Sequence, residues 1–349
     1  MSIRLRIALS LIFLATLHAA VIFAGFLAPY DPEVQNRAFP YAPPVRLHFF
    51  DSSGRIHLRP FVYCIQASAS GPGTYFEDKS KVYPVRFMQI QESAGNGNMR
   101  GNLHLFGVEP PARVFLLGTD GFGRDQLSRL IHGGRVSLFS GLLAGGLSLG
   151  LGLLLGALAG FYGKWLDEIV MRVSELVLAL PWLYCLLALR AFLPLNLPTE
   201  RTLLLLILVI GLRGWANPAR LIRSVALSAK ERDYVQAARG FGASDLYLLT
   251  RHVLPQTLGV VLVQAALLIP QYTLAEVALS FLGLGVGEPV PTWGNMLASL
   301  QHYNVLASYW WMSLPGLILI PVFLGYYTLA NALYERFHIG DSLRMALPS

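Results

Sequence analysis

The chain has 349 residues, of which 54% are hydrophobic and only 13% charged. Soluble domains carry about 25% charged residues, so this composition excludes an ordinary soluble globular protein and points to a membrane protein. The net charge of +7 reads as a topology signal and not as a nucleic-acid surface: Arg4 and Arg6 precede the first apolar run, and Arg220, Arg223, Lys230, Arg232, Arg239 and Arg251 lie between the fourth and fifth, regions that the positive-inside rule assigns to the cytoplasm.

Six charge-poor runs are long enough to span a bilayer, at about residues 7–28, 135–161, 173–193, 199–216, 257–282 and 309–333. The first exceeds the usual signal-peptide core of ~7–15 residues and shows no small-x-small cleavage pattern before Pro29, so an uncleaved span is expected. Residues 30–113 differ in character, with Pro and Gly punctuation and short alternating runs. Asp51-Ser52-Ser53-Gly54 is a hairpin turn by composition. Pairing Phe50 with Arg55 would set Leu47, Phe49, Ile56 and Leu58 on one buried face, and Arg46, His48, Arg55, His57 and Arg59 on the other. A small β-containing extracytoplasmic module is therefore expected. The His48–His57 pair lies among three arginines, a poor setting for a cation, and is read as a solvated face; no metal site and no cofactor are expected. Cys64 and Cys185 are placed too differently to suggest a disulfide.

The segment 119–125, TDGFGRD, has the wrong ligand spacing for a calcium loop and reads as a turn into a short helix capped by Asp125. Gly141, Gly145, Gly146, Gly150, Gly152, Gly156 and Gly160 crowd the second run in G-x-x-x-G spacings, which let helices pack closely in lipid. Arg172 and Glu175 read as interfacial. Pro181, Pro270, Pro315 and Pro321 fall inside expected spans. Glu276 is the one candidate intramembrane carboxylate; it serves either a structural hydrogen bond or the translocation pathway.

The segment Asp233 to Gln256, DYVQAARGFGASDLYLLTRHVLPQ, interrupts the apolar pattern. Ser228 and Glu231 have the form of a capping box, placing a helix start at Ser228. Gly242 is a natural left-handed stop, Ser244 can cap a second helix, and Pro255 should end it. Each helix is too short to span, its charges are balanced, and Ala237 and Ala238 leave a smooth centre. Such a pair suits a protein groove better than burial in lipid.

This segment resembles the EAA loop of ABC-importer permeases, with Gln236 in place of the acidic residue and His252 in place of the isoleucine. Together with LLGTDGFGRDQLSRLIHGGRVSL (116–138), AEVALSFLGLGVGEPVPTWGNML (275–297) and GDSLRMAL (340–347), it is similar to the dipeptide/oligopeptide/nickel permease family, outside an enlarged first loop. The resemblance implies an all-α polytopic membrane protein, with six transmembrane helices of the type I importer permease fold plus the β-containing insertion. It implies a bacterial inner-membrane, multi-pass location with cytoplasmic N- and C-termini. The implied partners are a second homologous permease, two cytoplasmic ATPase subunits, an extracytoplasmic solute-binding protein and membrane lipid, with no nucleic acid. The parts would be an N-terminal helix (1–29), the insertion (30–113), a permease core (114–334) with the coupling loop at 228–255, and a cytoplasmic tail (335–349). Tyr234, Gln236, Ala237, Ala238, Gly242, Asp245 and Pro255 would carry ATPase coupling, and a peptide would be the transported solute. No catalytic residue is expected: the nearest phosphate-loop sequence, residues 156–165, has Leu158 where glycine is required and Trp165 where Ser or Thr is. A secondary transporter would need intramembrane charges or inverted repeats, and a sensor using residues 30–113 would leave the charged segment unexplained.

Overall fold

The computed structural model describes residues 2–68, 73–93, 100–181, 184–185, 187–188 and 198–346. By contact the chain divides into two compact units, residues 1–15, 138–276 and 320–349 in one and residues 16–137 and 277–319 in the other. Five helical stretches among the described residues are long and apolar enough to cross a membrane: Ile3–Ile22, Gln126–Tyr162, Thr199–Lys230, Asp245–Phe281 and Trp310–Phe337. The expected span at 173–193 is not one of them. Its first part belongs to a helix that ends at Ala179, Pro181 follows that end, and residues 182, 183, 186 and 189–197 lie outside the described residues.

α1 (Ile3–Ile22) begins in the first unit and ends in the second, to which α2 (Ala24–Leu27) belongs. The long α3 (Gln126–Tyr162) leads to α4 (Lys164–Ala179), α5 (Thr199–Gly214) and α6 (Ala216–Lys230). The basic run 220–230, read above as a connection between spans, is helix: Ala219, Ile222, Ala226 and Ala229 recur at helical spacing and are all buried. That stripe packs on α3 through its glycines. A Cβ at Gly152 would lie 2.7 Å from Pro218 Cβ, one at Gly160 would lie 2.7 Å from the Arg223 carbonyl, and one at Gly156 would collide with the Ala219 backbone. The G-x-x-x-G reading therefore holds at these positions, whereas Gly146 and Gly150 face open space. Arg6 on α1 makes a bidentate ion pair with Glu335 on the helix Leu314–Ala346.

Among the described residues the second unit holds two antiparallel sheets, β1 (His48–Phe50), β2 (Ile56–Ala67) and β3 (Tyr75–Pro84) in one and β4 (Arg86–Ser93) with β5 (Arg100–Gly107) in the other. The turn at 51–54 is as expected: Gly54 has φ +80°, and Asp51 Oδ1 accepts from the Ser53 and Arg55 backbone N–H groups. The register is not. Phe50 pairs with Ile56 and His48 with Phe61, with a bulge between. Leu47, Phe49, Ile56 and Leu58 are all exposed, Leu58 at 99%. His48 and His57 are not partners; the former contacts Glu77 and the latter Asp51. The buried side is made instead by Val62 and Ile65 of β2 with Tyr83, Val85, Val108, Val114 and Phe115, joined by Tyr30. Tyr30 accepts from the Val114 N–H at 2.9 Å, and burial pushes its phenol up to about 12.

The segment 119–125 is a turn held by Asp120, whose Oδ1 accepts from the Phe122 and Arg124 N–H groups. Asp125 caps α3 by accepting from the Ser128 N–H and hydroxyl. The cap is as expected, but the helix it starts has 37 residues and is not short. Arg124 and Arg129, almost fully buried, both pair with the Glu288 carboxylate, and Arg124 also holds Asp120 at 2.7 Å.

Candidate functional site

The site is built from the end of α6 through the start of α9 (Leu254–Phe281). The capping box at Ser228 is not used, because the packed stripe of α6 carries the helix past it to Lys230. The next helix, α7 (Asp233–Gly240), begins five residues later than expected. It places Asp233 in its first turn and Arg239 in its last, the arrangement its dipole favours. At its end the Ala243 N–H bonds the Ala238 carbonyl and the Gly242 N–H bonds the Arg239 carbonyl, with Gly242 at φ +84°. This is a Schellman stop, and it needs the left-handed conformation that glycine adopts without strain.

Ser244 then caps α8 (Asp245–Leu248), accepting from the Tyr247 N–H. Pro255 does not end this helix. A π-helical turn, Leu249–Val253, precedes it, and the helical course continues to Phe281. A proline lacks an N–H and its ring crowds the carbonyl four residues back; a wider turn at that place relieves both.

One buried cluster supports the segment: Ala157 and Phe161 of α3, Ile222, Ala226 and Ala229 of α6, Val235 of α7, and Leu248, Leu249 and Val253 beyond it. Ala238 packs against this cluster and is half-buried. Ala237 faces outward. Tyr234, Leu246 and Tyr247 are also exposed, as is Phe241, at 93%. The Tyr234 ring lies 5.7 Å from His252, and Asp245 lies 3.8 Å from Arg239. The Gln236 side chain folds back, donating to the Lys230 carbonyl at 2.8 Å. Glu276, on α9, is fully buried.

Sequence reasoning missed three features of the site. Lys230 donates to the Gly160 and Phe161 carbonyls. Arg239 lies over the Phe161 ring at 5.6 Å. Arg223 grips Asp167 of α4 with a bidentate pair that holds the carboxyl below its usual range. Phe241 carried a signal that was available, a large aromatic between two glycines at a helix stop. The other contacts join residues 56 to 78 positions apart and left none.

The chain thus combines several helices long and apolar enough to cross a membrane with a short amphipathic helix packed on their ends, and the class of protein is given by its family. The family description of binding-protein-dependent transport system inner membrane components matches residues 152–339, and the chain belongs to this family. Among its relatives, the dipeptide transport system permease protein DppC of Bacillus subtilis is 33% identical over 68% of this chain and 69% of its own. The oligopeptide transport system permease protein OppC of the same organism is 35% identical over 68% and 73%. The di/tripeptide permease protein DppC of Pseudomonas aeruginosa is 41% identical over 59% and 66%. The chain is thus a multi-pass inner-membrane permease subunit of an ABC importer, mostly helical, with a β-rich segment that lies outside the matched family region.

Proposed function

We propose that this permease imports peptides, that the segment 233–255 docks onto a partner ATPase, and that ATP hydrolysis belongs wholly to that partner. The observation that carries the docking role is the outward face of α7, where Ala237 stands exposed, with Phe241 at the helix stop, on a helix whose other side is fixed to a buried cluster. An exposed apolar face on a rigid support suits a protein groove. The peptide as cargo rests on the relatives, which are named for dipeptides, oligopeptides and di/tripeptides. A second homologous permease would complete the pathway and a solute-binding protein would deliver the cargo. ATP-driven approach of two ATPases would then tilt the spans between two states.

The docking role is tested by comparing two neighbours. Ala237→Arg places a long charged side chain in the contact, where overpacking costs ~1–3 kcal/mol and an unpaired buried charge more. Uptake and co-purifying ATPase should fall about tenfold while the permease stays at normal abundance. Ala238→Arg should instead lower the abundance of the permease itself, because Ala238 packs on its own cluster. Normal uptake with normal bound ATPase in Ala237→Arg would end the docking reading. The same reading puts both termini and Arg239 in the cytoplasm and His57 outside. Cysteines at 57 and 239 in intact cells should label with an impermeant reagent at 57 alone.

A further inference from the structure

The coupling segment does more than rest on the membrane helices; two of its side chains are bonded toward one particular place, the C-terminal end of α3. The last carbonyls of an α-helix have no partner within the helix and carry partial negative charge. In α3 two of them, Gly160 and Phe161, accept from Lys230 Nζ at 3.0 and 3.4 Å. Lys230 is the last residue of α6, and its own backbone carbonyl accepts from Gln236 Nε2 on α7 at 2.8 Å. A continuous path therefore runs from Gln236 through Lys230 to the end of α3. A second, parallel contact starts one helical turn further along α7, where the Arg239 guanidinium lies over the buried Phe161 ring at 5.6 Å.

Two features show that this path suits transmission as well as cohesion. Lys230 joins all three helices through its two ends: the side chain reaches α3, and the backbone is held from α7. The chemistry is also directional in residue type. A glutamate at 236, the residue of the resembled motif, carries no donor for the Lys230 carbonyl; the glutamine of this chain does. Contiguous hydrogen bonds between packed elements are one physical form in which movement at one site biases another.

We propose that Lys230 is a positioning residue of the transport cycle: held by Gln236, it passes displacement of α7 to α3, while docking itself is carried by the outward face of α7. This rests on the coupling role argued above. It predicts that breaking the path leaves α7 responsive to ATP and leaves α3 behind.

The experiment uses the full importer, reconstituted with its second permease and ATPases, with the vanadate-trapped ATP state compared with the nucleotide-free state by hydrogen–deuterium exchange. In the unaltered protein both segments, 233–245 and 138–162, should change exchange on trapping. In Lys230→Met the change at 233–245 should persist while that at 138–162 falls at least twofold, at equal bound ATPase. Lys230→Arg, which can still donate to both carbonyls, should restore it. Gln236→Leu, altered at an exposed position that cannot unfold the core, should reproduce the loss at 138–162 per bound ATPase. An undiminished change at 138–162 in Lys230→Met and Gln236→Leu would overturn the relay while leaving docking intact. Loss of bound ATPase in Lys230→Met would also overturn it, by making Lys230 part of the dock. No change at 233–245 in the unaltered protein would instead sink the coupling role and the relay with it.

Discussion

Arginines and aspartates occur in two neighbourhoods of this molecule under opposite conditions. Asp120, Arg124 and Arg129 are at most 5% exposed; the two arginines share the Glu288 carboxylate, and Arg124 is bonded to Asp120 at 2.7 Å. Near α7 the same residue types stand in water: Arg239 and Asp245 are about half exposed and 3.8 Å apart. Burial makes the first set a lock, because each charge removed from water depends on the others for its partner. Exposure leaves the second set free to exchange water for another protein's groups at little cost. The contrast separates a part of the chain that must hold its shape from a part that must offer a surface.

The largest effect should come from breaking the lock. Arg124→Met removes the guanidinium between Asp120 and Glu288, and loss of one buried partner costs ~3–5 kcal/mol. Glu288 reaches solvent, so the low end applies. Arg239→Met, its exposed counterpart, should cost less than ~1 kcal/mol. Denaturant unfolding of the purified permease, followed by the fluorescence of buried Trp293 and Trp311, measures both. Equal losses would erase the distinction between lock and surface.

Next in size is the glycine contact that supports the offered surface. Gly156→Val drives a side chain into the Ala219 backbone, an overpacking worth ~1–3 kcal/mol. Gly146→Ala meets nothing within 4 Å and replaces a poor helix former, so it should be neutral or stabilise by up to ~1 kcal/mol. The repeat G-x-x-x-G was plain in the sequence; which of its glycines touch a partner was not, because that depends on the rotation of α3 against α6.

The same line between local and distant partners separates most of what the sequence disclosed from what it concealed. The Schellman stop at Gly242 and the cap at Ser244 bond residues at most five positions apart, and both were legible. Ser228 has an equally good local signature and failed, because burial of the Ala219–Ala229 stripe outweighs a cap worth ~1 kcal/mol. Pro255 was misread because a π turn absorbs its missing bond. The Arg124–Glu288 pair joins residues 164 positions apart, and nothing in either stretch names the other.

A titration sharpens the comparison further. Desolvation pushes the Asp125 carboxyl up to about 7, with the nearby Asp120 charge adding to it. In the unfolded chain the same group titrates near its ordinary value of about 4. Between these values the folded state holds the proton more tightly. Stability from this group is therefore fully present below pH ~4, declines by up to ~1.4 kcal/mol per pH unit as pH rises to ~7, and is flat above. Asp51 and Asp78, held below their usual range by hydrogen bonds, act in the opposite sense and only below pH ~4. The two windows do not overlap. Asp125→Asn should remove the slope between pH 4 and 7 in the denaturant assay, and an unchanged slope would show that another group sets it.

The smallest effects belong to exposed side chains of the β-rich segment, and they are small for an instructive reason. Strict alternation along residues 46–59 suggests a buried face at Leu47, Phe49, Ile56 and Leu58, yet these side chains are exposed. Two devices defeat the pattern. The bulge between His48 and Phe50 re-aims β1, and the core is filled from further along β2, where Val62 is fully buried. Pairing with β3, a strand the hairpin itself does not reveal, fixes which part of β2 is covered. Val62→Asp should therefore replace a buried valine, worth ~1.5–3 kcal/mol, with a carboxyl that has no partner there. Leu58→Asp and Phe49→Asp replace exposed apolar surface and should stay within ~0.5 kcal/mol of the parent. Limited proteolysis of residues 30–113 distinguishes them: rapid cleavage in Val62→Asp with parental resistance in the other two is the expected pattern. If Leu58→Asp were as sensitive as Val62→Asp, the bulge would not have turned that side chain outward, and the simple alternating register would stand.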